Sequence, residues 1–403
     1  MRVNPAASGM ARSGIREIMD AAWGRTDVIR LEVGQPDFPT PPHIVSAAHE
    51  AAVDGHTGYT PTAGIPQLRA ALADKIEARN GFSVDPQQVV LGNGGGQAIH
   101  AALVAVTEPG DGILLPDPAW PNFVMMAALL HLDAASYSLT AAGGYLPDIA
   151  ELERLVTPRT RVLLLNSPSN PLGAVIDRDR MLALLAFARR HDLWVLSDEC
   201  YDEITFDGTA VSPAALDPDG RVITVFSFSK TYAMTGWRLG YVAAPPVVAD
   251  ALAKAQEPMI SCLNTPTQYA ALAALASPPE VLGAMVAAYR QRRDTVAGRL
   301  AELGMTAFRP AGAFYTWVEV AGCGEGAREF ALRLLAEQHV AVAPGTAFGP
   351  GGEGFVRLSL AASEPDLIEG ARRMAELWHR LRERGGADRP ASRAGAAEGQ
   401  QPD

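Results

Sequence analysis

Six features of the sequence could carry chemistry. Lys230 stands in SFSKTYAMTGWRLGY, just past an apolar run and flanked by Ser227, Ser229 and Thr231. A lysine amine stays protonated near neutral pH unless its surroundings depress its pKa from about 10.4. At the mouth of a buried strand it can be neutral enough to attack an aldehyde. Taken alone, the same lysine also reads as a strand end in solvent. Asp198 closes the apolar run LWVLSD with no lysine or arginine beside it, and Tyr201 follows three residues on. A carboxylate there can accept a hydrogen bond from a protonated ring nitrogen and keep the ring an electron sink. Its plain alternative is a helix N-cap.

Gly94, Gly95 and Gly96, in GNGGGQAIHAAL, lead from a strand into a helix. Backbone N–H groups at a helix start bind phosphate, and glycines let it come close. The stretch is neither a Walker A loop nor GxGxxG, since Gln97 stands where the last glycine belongs. Asn170 precedes Pro171 and is held extended or in a turn, where its amide could meet a ring oxygen. Arg238 follows Lys230 on the same segment and could reach the same phosphate. Arg357, inside FVRLSLA, is an inward-facing guanidinium that wants a bidentate carboxylate or a buried ion pair.

These residues need a scaffold that gathers strand ends. From about Ile44, short apolar runs (QVVLG, DGILLPD, RVLLLN, LWVLSDE, VITVFSFS, LGYVAA) alternate with helical stretches such as QLRAALADKIEARN, which stacks Leu68, Leu72 and Ile76 on one stripe. Alternation of this kind implies an α/β fold with a mostly parallel sheet covered by helices on both faces. Ligands bind outside the carboxyl ends of such strands. After Pro279 a long helix leads into a smaller α+β unit containing AFYTWVEV, REFALRLLAEQHV and FVRLSLA. The expected organisation is an N-terminal arm with part of the small domain over 1–43, a large domain over 44–279, a linking helix and small domain over 280–384, and a disordered tail over 385–403.

The bulk numbers exclude several classes. The 403 residues, 48% hydrophobic, exceed one minimal domain. A net charge of −11 argues against a nucleic-acid partner, which needs a basic face. Cys200, Cys262 and Cys323 are scattered without ligand spacing, so no metal site is expected and a reducing, cytoplasmic compartment is. No apolar run of about 18 residues signals a membrane span.

The order of LEVGQPDFPTP, GYTPTAGIPQLRAAL, PDPAWPNF, NSPSNPLGAV, SDECYDEI, SFSKTYAMTGWRLGY and FVRLSLA resembles the aspartate aminotransferase superfamily, the class I/II aminotransferases of pyridoxal-phosphate (PLP) fold type I. The resemblance runs from about Gly14 to Arg382. It implies a large domain with a seven-stranded-type sheet sandwiched by helices and a smaller α+β domain. It implies PLP as cofactor, L-amino acid and 2-oxo acid substrates, ping-pong kinetics and a homodimer. By the same resemblance Lys230 is the Schiff-base lysine and proton shuttle. Asp198 pairs the pyridine nitrogen, and Asn170 and Tyr201 bond the ring oxygen. Gly95, Gly96, Ser227 and Arg238 cradle the phosphate, and Trp120 stacks on the ring. Gly34 and Arg357 hold the substrate carboxylate, with Asn170 assisting. Tyr59 reaches the phosphate of the neighbouring subunit.

Two positions depart from common forms. Gly96 stands where the cradle often has Ser, Thr or Lys, and the hydroxyl residue before a later helix is hard to place, with Thr265 the nearest candidate. Ile15 reads as part of an apolar lid favouring neutral or aromatic amino acids. A PLP-dependent C–S β-lyase or a cyclase would share nearly all these residues. From another class, a non-catalytic aminotransferase-like ligand-binding protein would keep the fold, but no basic helix-turn-helix pattern precedes LEVGQPD.

Overall fold

A computed structural model describes residues 1–10, 12–208 and 210–387. The first strand, β1 (Ile29–Arg30), belongs to the N-terminal arm. The main sheet contains β2 (Val89–Gly92), β3 (Gly112–Asp117), β4 (Asp133–Ser138), β5 (Thr160–Asn166), β6 (Trp194–Asp198), β7 (Val222–Ser227) and β8 (Gly240–Ala243). Its order is β2-β8-β7-β6-β5-β3-β4. All neighbours pair in parallel except β8, which runs antiparallel to β2 and β7. The carboxyl ends of β2, β3, β5, β6 and β7 therefore open on one edge, where a ligand site is expected.

The continuous apolar runs follow from coverage on both faces. In β5, Val162 and Leu164 enter one core cluster and Leu163 and Leu165 the other, all fully buried. Strand side chains alternate, so a strand covered twice needs apolar residues at every position. Each such side chain contributes about 1.5–3 kcal/mol. The edge strand β4 shows the converse. Its sequence, DAASYS, lacks an apolar run because most of its side chains face solvent, and only its backbone pairing with β3 defines it. Sequence patterning gave no sign of this strand. Leu68, Leu72 and Ile76 are fully buried on one stripe, as their spacing requires.

The second sheet is antiparallel. It contains β9 (Ala307–Phe308) and β10 (Tyr315–Glu319). Next, β11 (Val340–Ala341) pairs in parallel with β1 and ties the arm to this part of the chain. Then β12 (Ala343–Pro344) and β13 (Phe355–Ser359) complete the order β12-β13-β10-β9. Register sets Trp317 opposite Arg357 and Tyr315 opposite Ser359. The helices Pro279–Glu302 and Glu364–Ala387 pack together over this sheet, burying Tyr289, Phe314 and Met374.

The last described helix runs to Ala387; residues 388–403, read as part of a disordered tail, lie outside the described residues. Among the described residues no single helix is long and apolar enough to cross a membrane. Thr265–Leu275 and Pro279–Glu302 reach that composition only as a pair bent by 84°.

Candidate active site

At the carboxyl edge of the main sheet lies a cavity of about 790 Å³. Gly34, Gly95, Gly96, Trp120, Asn170, Tyr201, Ser227, Lys230, Arg238 and Arg357 all line it. Asp198, at the end of β6, sits behind Cys200 and is 5% exposed.

Lys230 lies on a four-residue helix, Phe228–Thr231, that directly follows β7. Ser227 caps it, its Oγ accepting from the Ser229 N–H at 3.1 Å. This short turn aims the amine back across the strand ends. The Lys230 Nζ donates to the Gly34 carbonyl at 2.5 Å and lies 5.9 Å from the Phe314 ring. No carboxylate touches it among the described residues. Burial pushes its pKa down to about 8, the Arg357 and Arg238 guanidinium groups adding to the effect while Cys200 and Asp198 oppose it.

Burial raises the pKa of Asp198 from the ordinary aspartate value, against hydrogen bonds from Cys200 and the charge of Lys230. The Cys200 N–H reaches Asp198 Oδ1 at 3.1 Å. A cationic N–H placed against this carboxylate would hold the group ionised.

Arg357 enters from the other sheet, on β13, and is 2% exposed. Its Nη1 donates to Asn170 Oδ1 at 2.9 Å and its Nη2 to the Glu32 carbonyl at 2.5 Å. The guanidinium lies 4.3 Å from the Tyr315 ring and 4.8 Å from the Phe348 ring. Its Nε is buried without a partner. A buried cation with an unused donor is a site prepared for an anion, since leaving it unpaired is costly.

Tyr201 lies edge-on to Phe314 and Tyr315, and its hydroxyl meets the Tyr315 hydroxyl at 2.8 Å. Burial first, and then Tyr315, hold the Tyr201 phenol well above its ordinary pKa, so it remains a hydrogen-bond donor. Tyr315 was not singled out in the sequence. The signal available was the polar tip of a tyrosine inside the apolar run AFYTWVEV, which needs a partner if buried. Tyr315 also explains Gly34, because a Cβ there would collide with the Tyr315 hydroxyl.

At the glycine cluster, the helix Gly94–Val106 begins directly below the cavity. A Cβ at Gly96 would stand 3.0 Å from the Trp120 ring, which would have to shift slightly to admit it. Arg238 adopts a left-handed backbone (φ 58°) that only the surrounding structure can hold in a non-glycine residue. Its guanidinium donates to Thr235 O at 2.8 Å and Asn93 O at 3.3 Å.

Besides Asp198, two expected residues are absent from the cavity lining. Tyr59 projects into solvent, 94% exposed. The Thr265 hydroxyl donates to the Gly58 carbonyl at 2.7 Å, tying the helix it opens to the loop that carries Tyr59. Ile15 does line the cavity, from the helix Gly14–Ala21.

The sequence profile of the family Aminotransferase class I and II matches residues 26–373. The chain belongs to the class I and II aminotransferases. This aminotransferase is 38% identical over 358 residues to the aspartate/prephenate aminotransferase of Thermus thermophilus, covering 88% of the chain and 92% of that protein. It is 38% identical to the aromatic-amino-acid aminotransferase 2 of Thermococcus litoralis, covering 91% and 95%. Among solved structures, the aspartate aminotransferase of Thermus thermophilus with maleate superposes with a TM-score of 0.89 at 36% identity, covering 94% of this chain and all of that one. The α/β architecture is thus that of the PLP fold type I aminotransferases.

Proposed function

We propose that this aminotransferase holds pyridoxal 5′-phosphate through Lys230 and moves an amino group from an L-α-amino acid to a 2-oxo acid by alternating, ping-pong use of one site. The observation that carries the reading is a buried lysine with a lowered pKa and, among the described residues, no carboxylate in contact, held over the same strand ends as the buried carboxylate of Asp198.

The donor set fits the cofactor. Gly95, Gly96, Ser227 and Arg238 offer the helix-start N–H groups, a hydroxyl and a cation to its phosphate. Trp120 supplies a flat face for its ring. Asp198 would take the ring N–H, and Asn170 and Tyr201 would donate to the ring oxygen. Bound there, pyridoxal phosphate supplies an aldehyde to take the amino group and an electron-withdrawing ring to stabilise negative charge at the substrate α-carbon.

The chain's own residues supply the rest. Neutral Lys230 would hold the cofactor's aldehyde carbon, with release of water, and as a free amine would take the substrate α-proton and give it back. Such positioned proton transfer is worth about 10²–10⁴-fold. Arg357 clamps the α-carboxylate through Nε and an Nη, and Gly34 leaves room for it. Asn170 and the Tyr315 ring fix the plane of that guanidinium, which sets which substrate bond faces Lys230. In a homodimer, which the reading entails, exposed Tyr59 would be free to reach the phosphate of the second copy. The two sheets form the large domain (44–279) and the small domain (280–384 with 1–43), and the site lies where they meet.

Incubation with pyridoxal phosphate should colour the protein, and borohydride followed by peptide mapping should find the pyridoxyl group on Lys230. An amino acid should then give its 2-oxo acid only in stoichiometric amount until a second 2-oxo acid is added. A colourless protein, or label on another lysine, rejects the reading. Catalytic pyruvate and ammonia release from a cysteine conjugate without an oxo acid would instead make it a β-lyase.

A further inference from the structure

The end of β5 and the turn after it bury Asn166, Ser167, Ser169 and Asn170, none more than 8% exposed. The two serines tie the turn to itself. The Ser167 Oγ accepts from the Ile176 N–H at 2.9 Å and the Ser169 Oγ from the Ala174 N–H at 3.2 Å. Asn166 reaches across to another strand instead. Its Nδ2 donates to the Asp198 carbonyl, at the end of β6, at 3.0 Å, and its Oδ1 accepts from the Asn170 N–H at 2.8 Å. Both partners hold the cofactor under the reading above, on which this inference rests. Asn170 Oδ1 in turn accepts from Arg357. We propose that Asn166 is a positioning residue that keeps Asp198 and Asn170 at a fixed spacing and, through Asn170, holds the Arg357 fork in place.

The chemistry of the side chain suits this task. The Asn170 N–H and the Asp198 carbonyl are buried groups of opposite kind, and each needs a partner. A carboxamide carries an acceptor and a donor on one planar end and satisfies both at once. Exchanging its oxygen and nitrogen would set donor against donor and acceptor against acceptor, so the hydrogen-bond pattern fixes its orientation. Nδ2 also approaches the Pro168 carbonyl at 3.5 Å. Strand pairing alone leaves the spacing looser, because the register of β5 with β6 ends at Asn166 and Asp198, before the chain reaches Asn170.

Asn166 is outside the lining of the large cavity, so it acts through its two partners and not on a ligand. Its bonds are all made inside one chain. A shift of about 1 Å in a group that orients substrate or cofactor can cost about 10²-fold in rate.

The test compares Asn166→Leu with Ser167→Ala, which removes a buried bond of the same turn whose oxygen touches neither Asp198 nor Asn170. The cofactor-free proteins are titrated with pyridoxal phosphate, and the pH midpoint of the bound cofactor's visible band is measured. Asn166→Leu should weaken cofactor binding about tenfold. It should move the midpoint upward by about one pH unit, because a ring oxygen that loses a donor makes its surroundings hold a proton more tightly. It should also raise KM for the amino acid at least about threefold and lower kcat about tenfold or more. Ser167→Ala should lower the thermal midpoint and leave affinity, band midpoint and KM near wild type. Asn166→Asp sets an oxygen against the Asp198 carbonyl and should show the same loss of cofactor affinity, should the leucine variant fail to fold. A folded Asn166→Leu or Asn166→Asp with wild-type affinity and band midpoint, or Ser167→Ala shifted as far, overturns the inference while leaving the cofactor on Lys230. A wild-type protein that takes up no cofactor removes both.

Discussion

The molecule buries two lysines and treats them oppositely. Lys75, 10% exposed, is paired with Asp202 and lies 3.5 Å from Glu203, with Asn80 Oδ1 accepting from it at 3.0 Å. Burial acts to lower its pKa, but Asp202, Tyr241 and Glu203 outweigh it and hold the ammonium well above the ordinary lysine value. Lys230 has a backbone carbonyl and an aromatic ring beside it instead, and its pKa falls to about 8. Burial alone does not make a nucleophile. The absence of a contacting carboxylate does, because only then does desolvation go uncompensated.

Exchanging either amine should break the contrast in different currencies. Lys230→Ala should lower turnover at least about 10³-fold, through the lost proton transfer and the lost tether, with the fold retained by circular dichroism. Lys75→Ala should lower unfolding free energy by about 3–5 kcal/mol in denaturant titrations, since it strands two buried carboxylates, while kcat at moderate temperature stays near wild type. Wild-type stability in the second variant would mean that the pair contributes no more than a surface bridge.

Arg357 lines the same cavity and is a third buried cation, its Nε without a partner among the described residues. Arg357→Lys replaces a fork by a point charge and should raise KM about 10–100-fold with a smaller change in kcat. An unchanged KM would remove the carboxylate from its neighbourhood.

pH separates the two amines next. Below about pH 8, cofactor capture by the cofactor-free protein should rise about tenfold per pH unit and then level, because only the neutral amine attacks. The linkage has a definite sign. Between about pH 8 and 10.4 the unfolded chain holds a proton at Lys230 that the folded chain has released, so this residue makes stability rise with pH over that window. Lys230→Met should lack the rise. Lys75 contributes no slope there, since its folded pKa is raised and its stabilisation is lost only at higher pH. The smallest effect is expected of Tyr315→Phe, which removes one hydroxyl from Tyr201; a fewfold loss in kcat with an altered cofactor spectrum would mark a positioning residue.

Much of the fold was legible because local periodicity reports burial. The double-faced strands β5, β6 and β7 are apolar throughout, and the helix carrying Leu68 and Leu72 shows its stripe. The edge strand β4 was not, since it buries one residue and is defined by pairing alone. Lys230, Asp198 and Asn170 were legible because each follows an apolar run at a strand end. Tyr315 was not, because a buried tyrosine has the same local signature in a core as beside a ligand.

The sequence by itself determined which residues stand at strand ends and in what order, through short-range alternation and punctuation. The tertiary structure decided who meets whom: Lys230 with Gly34 across 196 residues, Arg357 with Asn170 across 187, Tyr201 with Tyr315 across 114. It also decided that, among the described residues, Lys230 would have no acid partner and Lys75 would have two. Those outcomes depend on how two sheets pack against each other, and a desolvated charge is set by every group around it in space, which no local stretch of chain encodes.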